Sequence, residues 1–116
     1  MKLNEIAERL NLDSLTPPAS PSWPDVTQGF ASDLLSDVLA YAPSGGLLVT
    51  VQTHLNVVAV ASHTQLVAIV FAGGRRPELK VCRKAQEEGI ALFSSLETAF
   101  DLVGKLYALG LRGPSV

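Results

Sequence analysis

Short runs of β-forming residues alternate with longer helical stretches, and this alternation limits the fold more than any other feature of the sequence. Three such runs are Leu47 to Gln52, Val67 to Ala72 and Ile90 to Phe93, and a shorter one, Val26 to Phe30, precedes them. Each is followed by a stretch that can form a crossover helix, the usual connection between parallel strands. The pattern predicts a small α/β domain with a largely parallel sheet built from βα repeats.

Apolar residues at helical spacing predict five helices. In chain order these are Lys2 to Asn11, Ser32 to Ala42, Thr53 to Leu66, a helix from Pro77 that stops at Gly89, and a final helix that starts near Ser94. The third is ambiguous, because its valines favour a strand by propensity. Its length suits a crossover, and we therefore predict a helix there.

Particular residues are expected to shape these helices. Ser32 is predicted as an N-cap with Asp33 in the first turn, and Ser94 with Glu97 suggests a capping box. One face of the fourth helix is predicted to carry Leu79, Cys82 and Ala85. The buried stripe of the last helix is predicted to contain Leu96, Phe100, Val103, Leu106 and Tyr107.

Composition limits the class of protein. A chain of 116 residues predicts one domain over positions 1–116, and 47% hydrophobic residues are enough for a real core. Only 17% of the residues are charged, which predicts a surface that is covered in a homodimer. A net charge of −2 argues against nucleic acid as a partner.

The compartment is predicted from what the sequence lacks. The single Cys82 cannot form an intramolecular disulfide, the N-terminus has no signal-peptide core, and no apolar run approaches the length of a bilayer span. These features predict a cytoplasmic protein with no membrane partner. The loop from Thr16 to Pro24, rich in proline and serine, is expected to be poorly ordered.

If the strands are parallel, three βα turns meet at the carboxyl edge of the sheet, where open α/β sheets bind ligands. They are Thr27 to Asp33, Gln52 to Asn56, and Gly73 to Glu78. The candidate ligand-binding residues of the first turn are Thr27, Gly29 and Ser32.

The third turn, which contains Gly73, Gly74, Arg75 and Arg76, is the strongest candidate for anion binding. Its glycines allow a close backbone approach, and two guanidiniums could hold a phosphate. The alternative is a tight turn whose arginines pair with surface acids, such as Glu78 or Glu87.

The second turn places Gln52, Thr53, His54 and Asn56 directly after a buried strand, where polar groups need partners. Either they contact a ligand, or Thr53 or Asn56 caps the next helix. Two histidines and one cysteine make a metal site improbable, and no cofactor is expected. No nucleophile or acid–base set is visible, so the residues do not indicate an enzyme.

The stretch from Val26 to Val38, with Thr27 and Gly29 in the turn, resembles the signature of the DRTGG domain family. Gln52-Thr53-His54, Gly73-Gly74-Arg75-Arg76-Pro77 and the closing Gly104 to Leu111 are similar to stand-alone members. Gln28 stands where the family motif usually has its first glycine. The resemblance implies an α/β fold similar to the N-terminal domain of HPr kinase/phosphorylase, and a dimerising or regulatory role.

Stand-alone members are often labelled serine kinases, but the phosphate-binding loop of that reaction is missing here. The one Gly-Lys pair, Gly104-Lys105, lies inside the predicted last helix and is followed by Leu106. The first hypothesis is therefore a non-catalytic regulatory module that dimerises and senses a nucleotide or another phosphate-bearing metabolite. The alternatives are a pure interaction domain without a ligand and, less favoured, a component of a serine kinase system like that of HPr kinase.

Overall fold

The predicted α/β fold is present in the computed structural model, which describes residues 1–18 and 22–115. The elements are α1 (Leu3–Arg9), β1 (Asp13–Ser14), β2 (Gly29–Ala31), α2 (Leu35–Tyr41), β3 (Leu47–Thr50), α3 (Leu55–His63), β4 (Ala68–Phe71), α4 (Leu79–Glu87), β5 (Ala91–Ser94) and α5 (Ala99–Ala108). The alternation of strand and helix that the sequence predicted therefore runs from β2 to α5.

The five strands form one sheet in the order β1-β5-β4-β3-β2. Strands β2 to β5 are parallel, as predicted, and each lies beside the next one in the chain. The sequence did not predict β1, which adds to the far edge antiparallel to β5 and places Asp13 opposite Ser94. A strand of two residues has too little pattern to be recognised from its own sequence.

Helices cover both faces of the sheet. On one face α2, α3 and α4 pack on residues such as Leu48, and on the other α1 and α5 pack on Leu47 and Val49. All four residues of β3 and of β4 are buried, as expected for strands with helices on both sides. No helix in the described part of the chain is long and apolar enough to cross a membrane.

The ambiguous segment is a helix, as predicted. Val57, Val58 and Ala61 are fully buried on its inner face. Its cap is neither Thr53 nor Asn56, because His54 takes that position and its Nδ1 accepts a hydrogen bond of 3.1 Å from the backbone N–H of Asn56.

The residues around β2 differ from the prediction. The strand begins at Gly29 rather than Val26, and α2 begins at Leu35 rather than Ser32. Ser32 instead closes a local turn, in which its Oγ accepts from the N–H of Leu34 at 3.1 Å. Asp33 is outside the first helical turn because its Oδ1 accepts hydrogen bonds from the hydroxyl of Thr50 and the N–H of Val51, at 2.9 and 2.8 Å.

The start of α4 and its buried face also differ. Glu78 is the N-cap, so Pro77 precedes the helix, whereas Gly89 follows its end with a φ of +73°, as predicted. Val81 and Ala85 are buried, while Leu79 is 64% exposed. A hydrogen-bonded ion pair between Lys84 and Glu88 raises the pKa of the lysine. The same pair, with a hydrogen bond from the Ser62 hydroxyl, lowers the pKa of the glutamate.

The predicted capping box of the last helix is wrong. Ser94 is the final residue of β5, and Thr98 caps α5 by accepting from the N–H of Asp101 at 3.3 Å. The helix therefore starts four residues later than the capping box would place it.

The predicted buried stripe of α5 is largely wrong. Only Leu106 of that set is buried, and the other buried residue of α5 is Leu102, which the predicted stripe did not contain. Phe100 and Tyr107 are 89% and 56% exposed. The other two members of the predicted stripe, Leu96 and Val103, are exposed as well.

The loop from Thr16 to Pro24 is anchored at both ends. Thr16 is buried, and its Oγ1 accepts from the N–H of Leu92 at 3.1 Å. The carbonyl of Pro24 accepts from the N–H of Leu3, and Trp23 packs against the core cluster that includes Leu3 and Ile6 of α1. The expectation of poor order was made for the whole loop, and its residues 19–21 lie outside the described residues.

Candidate functional site

The carboxyl edge of the parallel strands brings together eight of the ten candidate residues. Ser32 follows β2, and two groups follow β3 and β4: Gln52, His54 and Asn56, and then Gly73, Gly74, Arg75 and Arg76. Because neighbouring strands are about 4.8 Å apart, these turns are adjacent along one edge. The expected convergence is therefore found for the second and third turns and for the end of the first.

Thr27 and Gly29 lie at the opposite, amino edge of the sheet. Gly29 pairs with Leu47, the first residue of β3, and the N–H of Thr27 donates to the carbonyl of Gly45. A Cβ on Gly29 would lie 3.0 Å from a methyl of Leu111, so this glycine makes room for the C-terminal segment. Thr27 and Gly29 therefore lie at the opposite end of β2 from the other candidates and do not belong to one site with them.

One position on the carboxyl edge has the geometry of a crevice. The loops that follow β2, β3 and β4 lead to helices on one face of the sheet, whereas the loop after β5 leads to α5 on the other face. Adjacent loops therefore diverge between β4 and β5. Ligands of open α/β sheets bind where neighbouring loops separate in this way.

The Gly73-Gly74 turn uses its backbone inside the protein. The N–H of Gly73 donates to the carbonyl of Glu97, and the N–H of Gly74 donates to that of Ser95, both at 2.7 Å. Both glycines have a φ of +70°, a conformation that other residues rarely adopt. These two amides therefore tie the loop after β4 to the loop after β5 and are not directed at an anion.

The side chains of the same turn remain as the cationic part of the site. Ser94, which is buried, donates its hydroxyl hydrogen to the carbonyl of Arg75 at 2.8 Å and fixes the backbone there. Arg75 folds back over Gly73, where any Cβ would collide with its Nη1. The guanidinium of Arg76 forms an ion pair with Asp13 of β1. The turn thus presents two arginines from a backbone held by β5.

A polar cleft of about 330 Å³ lies beside Arg76. Its lining consists of Asn11, Leu12, Asp13, Gly74, Arg76, Ser94 and Leu96. The cleft therefore joins β1, the turn after β4 and the turn after β5, at the place where the loops diverge. In the described residues, no group of three or more His, Cys, Asp or Glu side chains could hold a metal ion.

The second turn is farther from this cleft. The exposed His54 is committed through Nδ1 to the cap of α3, which places the proton of its neutral ring on Nε2. The N–H of Gln52 donates to the hydroxyl of Thr50 at 3.1 Å, and the side chains of Gln52 and Asn56 are exposed. These residues form an accessible polar rim next to the turn that holds Arg75.

A second feature of the surface is apolar. Phe100, Val103 and Tyr107 form what we call the outer stripe of α5, which faces away from the sheet, while Leu102 and Leu106 form the inner stripe. An apolar groove of about 200 Å³ continues from this stripe to the edge of β2. Its lining includes Phe30, Ala31, Val49, Leu111 and Pro114.

Gly104 lies in the middle of the outer stripe. Glycine inside a helix costs about 1 kcal/mol relative to alanine. Nothing among the described residues requires it, because its φ is not positive and an added Cβ would meet no described atom within 4 Å. The glycine leaves a shallow gap between Phe100 and Tyr107, where a second helix could approach closely.

The sequence did not predict Asp13 or Ser94 as residues of this edge, and it assigned Asp33 to the first turn of a helix rather than to a contact with the end of β3. Ser94 had a usable signal, because it is a polar residue at the end of an apolar strand, like Thr50 of β3. Asp13 had none, since it is 63 residues from Arg76 and belongs to a strand too short to predict.

The chain was compared with protein families, curated proteins and solved structures, and a solved structure shares its fold. No protein-family model and no curated protein matches the chain. A solved structure does match: the CBS and DRTGG domains of the regulatory region of Clostridium perfringens pyrophosphatase, complexed with its activator diadenosine tetraphosphate. The TM-score is 0.74 at 10% sequence identity, and the match covers 89% of this chain but 44% of the other.

This similarity supports the DRTGG-like fold that the sequence resemblance implied. The chain spans less than half of the length of that structure, which comes from a regulatory region and not from a catalytic one. The similarity to HPr kinase, the cytoplasmic location and the homodimer remain predictions.

Proposed function

We propose that this chain is a regulatory module in which an anionic ligand at the carboxyl edge controls association with a second copy through α5. The ligand class is a nucleotide or another phosphate-bearing metabolite. The chain itself carries out no reaction, and the signal it produces is a change in its association.

The observation that carries the proposal is the pair of hydrogen bonds between the two loops of the crevice. Gly73 and Gly74 donate to the carbonyls of Glu97 and Ser95, and Glu97 directly precedes the cap of α5. Glu97 also accepts an ion-paired hydrogen bond from Lys105 of α5, at 2.6 Å. A ligand that shifts the turn holding Arg75 therefore acts on the loop that starts the helix with the outer stripe.

The cationic turn supports the ligand class. Two guanidiniums beside a crevice suit the oxygens of a phosphate group. The fold is shared with a regulatory region that was solved with diadenosine tetraphosphate, which is a nucleotide and an anion. We therefore expect adenine nucleotides with several phosphates to be better ligands than inorganic phosphate.

The outer stripe supports association with a second copy. Exposed aromatic side chains around a helical glycine form a self-complementary surface if two α5 helices cross near Gly104, because Phe100 of one copy then approaches Tyr107 of the other. Apolar surface of this kind on a chain with 17% charged residues is typical of a contact between proteins.

Thermal unfolding with diadenosine tetraphosphate, ATP and pyrophosphate tests the ligand part. A ligand at one hundred times its Kd stabilises the folded state by about 2.7 kcal/mol, so we expect a rise in Tm of several degrees. Arg75→Ala/Arg76→Ala should abolish this rise. The matched control, Arg9→Ala/Arg83→Ala, removes the same charge from exposed positions away from the edge and should keep it.

Two results would separate the alternatives. A dimer whose Tm and mass are unchanged by all three ligands favours the pure interaction domain. An equal rise in Tm in both double variants would show that the ligand binds elsewhere and would contradict the site.

A further inference from the structure

Arg76 is paired with a carboxylate of its own chain. Its Nη2 contacts Oδ2 of Asp13, and both side chains are more than half exposed. The pair spans the polar cleft, with Arg76 on the turn after β4 and Asp13 on β1, on the opposite side of β5. A carboxylate therefore sits where an anionic group of a ligand would contact this guanidinium.

The backbone that carries Arg76 is more firmly fixed than the strand that carries Asp13. The backbone beside Arg76 is fixed by the hydroxyl of Ser94 and by the amides of Gly73 and Gly74. Asp13 belongs to a strand of two residues at the edge of the sheet, reached through Asn11, whose φ is +52°. Short edge segments open at low cost, so Asp13 can leave while Arg76 stays in place.

We infer that Asp13 is an internal counter-ion of the ligand site, which a phosphate group displaces from Arg76 when a ligand binds. This inference rests on the proposed function and adds the regulation of the same site. An exposed ion pair contributes little to stability, so it is a weak competitor that a multiply charged phosphate can replace. Displacement also removes one of the contacts that hold β1 against the turn.

The test is a calorimetric titration of pyrophosphate at low ionic strength into the full chain and two variants. Asp13→Asn removes the competing charge and should tighten binding about fivefold, the effect of an exposed pair. The control is Asp25→Asn. Asp25 forms an ion pair with Lys2 that is about as exposed as the pair of Asp13 with Arg76, but it does not line the polar cleft. It should change the affinity by less than about twofold.

A second measurement follows β1 itself. The N–H of Leu15 donates to the carbonyl of Leu92 and reports on the attachment of β1 to β5. Its hydrogen exchange should be faster in Asp13→Asn than in Asp25→Asn, and pyrophosphate should speed it in the unmodified chain.

The outcomes separate the two proposals. If pyrophosphate binds and Asp13→Asn leaves the affinity unchanged or weaker, the counter-ion role is wrong and the ligand site stands. If none of the three proteins binds pyrophosphate, the counter-ion role is wrong. A rise in Tm with ATP or diadenosine tetraphosphate then decides separately whether the ligand site remains.

Discussion

The inner and outer stripes of α5 have the same chemistry and opposite surroundings. Leu102 and Leu106 are 0% and 4% exposed against the sheet, whereas Phe100 and Tyr107 project from it. One sheet can bury a single apolar stripe of a helix. A second apolar stripe is buried only if another apolar surface packs against it. The difference shows that packing among the described residues covers the inner stripe of α5 and leaves Phe100 and Tyr107 of the outer stripe exposed.

Charged residues on and beside α5 bear on this comparison. Lys105 pairs with Glu97, and Arg112 lies over the ring of Tyr107, 3.6 Å from its centroid. Arg112 therefore covers part of Tyr107 in the outer stripe, whereas Phe100 is left exposed. A rim of charge around an exposed aromatic centre is the usual arrangement of a protein–protein contact.

The largest effect on folding should come from the inner stripe. Leu102→Ala leaves a cavity in a closed core and should lower the free energy of unfolding by about 3 kcal/mol. Phe100→Ala, two residues away in the outer stripe, should change it by less than about 0.5 kcal/mol in dilute protein. Urea titrations of both variants measure this. Equal losses would mean that the outer stripe is packed within the chain, and the comparison would fail.

A substitution at Gly104 should change the free energy of unfolding by a smaller amount, and in the opposite direction, than Leu102→Ala does. Gly104→Ala should raise the stability of the dilute chain by up to about 1 kcal/mol, because alanine is the better helix former and its Cβ meets open space. The same change should weaken association, since the added methyl separates two crossing helices. Urea titration and sedimentation of one preparation test both parts. If Gly104→Ala leaves the association unchanged, the two α5 helices do not cross at Gly104.

The alternation of strands and helices and the parallel sheet could be predicted, because each run of β-formers is bounded by turn residues and followed by a crossover. The helix predicted for Thr53 to Leu66 is confirmed by α3. That prediction used the length of the connection, although the valines there favour a strand by propensity. The exact starts of α2 and α5 could not be predicted, because Asp33 and Ser94 bond to groups that only the folded chain brings near.

The candidate site was predictable in its place but not in its details. Polar residues after parallel strands indicated the carboxyl edge, and eight of the ten candidates lie there. Two features depend on contacts distant in the sequence: the backbone bonds of Gly73 and Gly74 to the next loop, and the pair of Asp13 with Arg76. The stripe of α5 was misassigned because periodicity gives the apolar faces of a helix, while packing decides which one is buried.

The central claim is that the outer stripe of α5 is a contact between two copies. Its most direct test is the mass in solution, by light scattering, of the unmodified chain and of Phe100→Asp. We predict twice the chain mass of 12.3 kDa for the first, and the single chain, still folded by circular dichroism, for the second. An unmodified chain that stays monomeric at high concentration, or a dimer that survives Phe100→Asp, would contradict the claim.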